Sequence, residues 1–82
     1  MSSELTLRRA QLADKKRSLE EMNLRAESHV IELRNILDPY IEDYSTLRMN
    51  IGKVEWQALE RTWSEMCELK KQIERMERDL NG

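Results

Sequence analysis

The side chains in this sequence that could do chemistry are few and widely spaced. His29 is the only histidine and Cys67 the only cysteine. A reactive thiol needs a basic or cationic neighbour to hold it as thiolate. No histidine or second cysteine stands near Cys67, so it reads as an incidental thiol on the outer flank of a helix, and no intrachain disulfide can form. Carboxylate-bridged metal bundles use a Glu-x-x-His step, but the residue three before His29 is Ala26. The acids are dispersed at helical spacing. Glu4 to Arg8, Glu21 to Arg25 and Glu74 to Arg78 are i to i+4 pairs, each adding about 0.2–0.5 kcal/mol to a helix. There is no phosphate-cradling glycine loop, no G-x-S-x-G and no H-E-x-x-H. The sequence therefore predicts no catalytic residue, no metal and no cofactor.

Two other groups have binding chemistry. Arg8, Arg9, Lys15, Lys16 and Arg17 form the one basic concentration, and the seven-residue steps from Arg8 to Lys15 and Arg9 to Lys16 make a stripe. A stripe of this kind can meet phosphates. However, residues 1–25 hold six basic and four acidic side chains, and none of them is an aromatic that would stack on a base. Pairing with acids on a neighbouring helix, such as Glu65, Glu74, Glu77 or Asp79, accounts for the stripe better. Nucleic acid remains the alternative partner. The second group is Trp56 and Trp63, seven apart and beside Leu59 and Met66. They form either a docking patch, since tryptophan is the commonest hot-spot residue, or core beneath a short helix. With Leu24 and Ile31, these four residues make the expected contact surface.

The elements that position these groups are read from a seven-residue apolar seam. It runs Leu5, Leu12, Leu19, Ala26, Leu33 in the first half and Leu59, Met66, Ile73, Leu80 in the second, with Thr62, Leu69 and Met76 interleaved. Such spacing keeps a narrow apolar strip on one side of a helix, useful only against another helix. His29 falls in this seam between Met22 and Ile36, where a polar residue fixes register or acts as a pH-sensitive spot. Asp38-Pro39 reads as an N-cap followed by Pro at the first helical position, and Asn50-Ile51-Gly52 as a helix-ending turn. The expected single helical domain over 1–82 thus has a helix at 4–37, a short helix at 39–49, a turn at 50–52 and a helix at 53–80. Pro39 merely kinking one long helix is the alternative. A reversal near residues 47–48 sets Met22 opposite Ile73 and Ile36 opposite Leu59.

Between residues 22 and 66 the apolar residues spread beyond a two-position strip, which calls for more than one neighbouring helix. Tyr40 and Tyr44 are expected in that cluster. At 82 residues with 37% charged side chains and a net charge of -2, oligomerisation is the available route to extra burial. The fold expected is all-α: an antiparallel, coiled-coil-like hairpin with a short third helix, dimerising into a bundle. No apolar run reaches the roughly 20 residues of a membrane span, and Met1-Ser2-Ser3-Glu4 lacks a secretory layout. A cytoplasmic, non-enzymatic protein–protein interaction module, an adaptor, assembly factor or regulator, is the expected function. A chaperone or inhibitor arm gripping another protein's helix is a further reading.

Overall fold

The computed structural model describes residues 2–81 and is an all-α helical hairpin. Helix α1 spans Ser2–Ile36 and helix α2 spans Met49–Asn81, joined by a segment holding a 3₁₀ turn at Tyr44–Thr46. Neither glycine nor proline interrupts residues 2–36, so nothing breaks the ladder of α1. Glu4 in its first turn and Arg34 in its last complement the helix dipole, as Arg78 does in the last turn of α2.

The two helices meet along a strict 3–4 repeat. In α1 the inward positions are Leu12, Lys15, Leu19, Met22, Ala26, His29, Leu33 and Ile36. In α2 they are Gly52, Glu55, Leu59, Thr62, Met66, Leu69, Ile73, Met76 and Leu80. Ile36, Ile73 and Thr62 are the buried members among the described residues, and no buried side-chain polar atom there lacks a partner. The seam is thus an alternation of apolar, small and polar side chains rather than a continuous apolar core.

Three expectations are corrected. First, the reversal lies at 37–48 and not at 50–52, because Asn50 and Gly52 are inside the first turns of α2. Gly52 donates its N–H to the Arg48 carbonyl at 2.9 Å and sits on the seam, where a Cβ would lie 3.7 Å from Ile36 Cγ2. Neither space nor backbone conformation demands a glycine at this position, since that contact is an ordinary van der Waals one and no described glycine has positive φ.

Second, the short helix at 39–49 is absent. Asp38 does not cap a helix: its Oδ1 accepts from Tyr40 N at 2.9 Å, and its carbonyl accepts from Ile41 N at 3.3 Å. That is a β-turn with Asp and Pro at its first two positions, where both are favoured. Asp43 then repeats the device, accepting from Ser45 N at 3.0 Å and Ser45 Oγ at 2.7 Å to cap the 3₁₀ turn.

Third, the register is one heptad from the expected one. Ile36 abuts Gly52, and His29 pairs with Glu55. Both registers match apolar to apolar, but the expected one sets His29 against Met66, whereas the observed one gives the imidazole a carboxylate. Matching a polar seam residue decides between registers that apolar burial alone leaves equivalent.

The result is a rod measuring 66 × 16 × 14 Å with a radius of gyration of 18.7 Å. A compact domain of this length has a radius of about 12 Å. A rod of two helices covers only one strip of each, so large apolar side chains elsewhere stay in solvent.

Candidate interaction surface

Residues that directly follow seam residues fall on one shared flank of the hairpin, because each step along a helix turns by about 100°. On α2 these include Trp56 and Trp63, with Met49 one seven-residue step before Trp56; on α1 they include Val30 and Leu37. The indoles of Trp56 and Trp63 are 60% and 61% exposed. The reading of the tryptophans as core beneath a short helix is therefore corrected: that helix does not form, and the described residues leave both more than half exposed. Tyr40 and Tyr44, expected in the same cluster, are exposed in the connecting segment.

Two shallow grooves run along this flank. One, of about 700 Å³, is lined by Leu19, Leu24, Trp63, Met66 and Cys67 together with Glu20, Asn23 and Lys70. The other, of about 410 Å³, lies nearer the tip between Leu33, Ile36 and Leu37 of α1 with its connection and Met49, Gly52 and Trp56 of α2. Towards the open end the flank turns polar, with Lys16 Nζ 2.9 Å from Glu77 Oε1. The apolar part of the flank therefore occupies the half of the rod next to the tip.

Of the six expected contact residues, Leu24, Trp63 and Met66 share one groove, while Trp56 lines the next. Leu24 is 65% and Ile31 48% exposed. Leu59 and Met66 are half-buried seam residues whose outer edges alone reach the surface. Sequence reasoning missed Met49, Leu37 and Val30. The signal was present in the seven-residue step from Met49 to Trp56, but assigning residue 49 to a separate helix concealed it.

No family model matches this chain, and no curated protein or solved structure matches it either. The surface must be interpreted from its own chemistry. Among the described residues, no group of three or more His, Cys, Asp or Glu is placed to hold a metal, and no helix is long and apolar enough to cross a membrane.

The basic stripe is largely engaged within the chain. Arg8 pairs with Glu4 and Arg17 with Asp14, both at 3.2 Å. Lys15 Nζ donates to Gln72 Oε1 at 3.0 Å and Lys16 bridges to Glu77, while Arg9 is exposed. Lys15 and Lys16 thus tie α1 to α2 near the open end. Cys67 is half-buried at the edge of the tryptophan groove.

The seam pair is the other polar feature. His29 Nδ1 lies 2.8 Å from Glu55 Oε2, with both side chains about three-quarters covered. With its proton on Nδ1, the imidazole donates to the carboxylate. In the connecting segment, the Ser45 hydroxyl and then the Ser45 N–H hold the Asp43 carboxyl below its ordinary value of 3.8.

Proposed function

We propose that this protein is a non-enzymatic protein–protein interaction module, an adaptor, assembly factor or regulator that works by packing its tryptophan flank against helices. One observation carries this reading: Trp56 and Trp63 stand more than half exposed beside Leu24 and Leu37 on a single face. Isolated apolar residues on a surface are ordinary, but a contiguous patch of large ones marks a place where another molecule binds. Covering the exposed part of each indole contributes roughly 2–4 kcal/mol at about 25 cal/mol per Å². The lone cysteine fits a reducing compartment, and the cytoplasm is the location that goes with this reading. The engagement of Lys15, Lys16, Arg8 and Arg17 inside the chain weighs against nucleic acid as the partner.

Site-specific photo-crosslinking in the producing cell tests this reading. A benzophenone amino acid replaces Trp63 in one variant and Glu68, on the far side of α2, in another. Protein adducts from position 63, with few from position 68, are expected. Equal yields from the two positions, or none from 63, contradict it.

A further inference from the structure

The flank carries a charge arrangement that limits what can cover it. Ile36 abuts Gly52, which sets Arg34 and Lys53 at nearly one height close to the tip. One heptad further from the tip, Glu27 and Glu60 likewise stand level. Each of the four follows a seam residue (Leu33, Gly52, Ala26 and Leu59), so all lie along the same flank, and all four are exposed. The tipward half of the patch is therefore doubly positive and the other half doubly negative, with Trp56 between them.

We infer that the occupant of this flank is a second copy of the chain, laid face to face with its tip pointing the opposite way. The inference rests on the interaction-module reading and names its partner. A two-fold axis perpendicular to the rod, passing through the level of Trp56, carries the positive half of one copy onto the negative half of the other. On α2 the sequence from Met49 to Trp63 becomes its own complement: Met49 meets Trp63 of the second copy, Lys53 meets Glu60, and Trp56 meets Trp56. On α1, Leu24 meets Leu37 and Glu27 meets Arg34. The two centres, near residues 30–31 on α1 and 56 on α2, stand at about the same height in the observed register. Self-complementarity of one patch is what a two-fold interface requires. The opposite arrangement, with both tips at one end, stacks Arg34 on Lys53 and Glu27 on Glu60, placing like charges together on each side.

The surface available agrees with this occupant. The chain exposes 6933 Å², whereas a globular monomer of 9.8 kDa exposes about 5,200 Å². That excess is larger than the roughly 800 Å² per partner of a standard interface.

Sedimentation equilibrium on the full chain and two charge variants tests the inference, with circular dichroism reporting helicity. The wild type is expected to sediment at twice its chain mass. Arg34→Glu with Lys53→Glu makes all four of these positions negative, and Glu27→Lys with Glu60→Lys makes all four positive. Each variant alone is expected to lose affinity at least about thirtyfold through like-charge opposition. An equimolar mixture of the two is expected to recover a dimer within about threefold of wild-type affinity, which also shows that neither variant has misfolded. Spin labels at Arg78→Cys in a Cys67→Ser background then fix the orientation. Opposed tips give an inter-copy distance on the order of 60 Å, and tips together give less than about 30 Å.

A monomeric wild type, a mixture that stays monomeric, or the short label distance overturns the inference. If the wild type is monomeric while position 63 crosslinks to a different protein, the second copy is wrong and the interaction module survives. If position 63 yields no protein adduct at all, both fall.

Discussion

At the residue scale, the pair His29–Glu55 decides the alignment of the whole rod. Its 2.8 Å contact is three-quarters covered, so losing one partner leaves the other poorly solvated in the seam. Glu55→Leu is expected to lower stability by about 1–2 kcal/mol in urea unfolding. His29→Leu combined with Glu55→Leu is expected to regain most of that loss, because two apolar residues satisfy each other. A double variant no more stable than the single one contradicts the pairing. Asp43 acts by local hydrogen bonding. Its carboxyl is lowered below 3.8 by Ser45, so its contribution is complete above that value and vanishes as pH falls through the lowered one. Wild type and Asp43→Ala should therefore differ at neutral pH and converge in strong acid. Equal separation of their unfolding midpoints at all pH values sinks this account.

At the scale of elements, both long helices were legible in the heptad seam, and their antiparallel return in the breakers Asp38-Pro39 and Asn50-Ile51-Gly52 between its two halves. The connection was not legible, for a physical reason. Asp38-Pro39 serves a helix start and a β-turn equally well, and nothing local in the sequence chooses between them. Asn50 and Gly52 carry a helix-ending signal, yet the seam position of Gly52 against Ile36 rewards continuing the helix. Once the short helix is lost, the tryptophans that it was expected to cover are exposed. The expected contact residues Leu24, Trp56 and Trp63 fall on that surface; Met49 joins them because α2 reaches back to it, and Val30 and Leu37 because they follow seam residues His29 and Ile36. A Cβ added at Gly52 would meet Ile36 at an ordinary 3.7 Å, and the φ there is not positive. Gly52→Ala is therefore expected to stabilise the hairpin by about 0.5–1 kcal/mol. A lowered melting temperature would mean that the helices approach more closely there than this contact allows.

At the scale of the whole molecule, the 66 Å rod exposes too much apolar surface to be a finished globule. Its seam covers one strip of each helix, and its tryptophan flank, bordered by opposite charges in its two halves, is exposed in the single chain. The proposed interaction places its contacts on that flank. Hydroxyl-radical footprinting read by mass spectrometry tests it directly, at micromolar concentration and without any substitution. Trp56 and Trp63 are predicted to oxidise several-fold more slowly than their exposure in the single chain implies, with Tyr40 at the tip reacting freely as an internal reference. Indoles as reactive as that reference, at every concentration tried and in the cell extract alike, would show that nothing covers the flank.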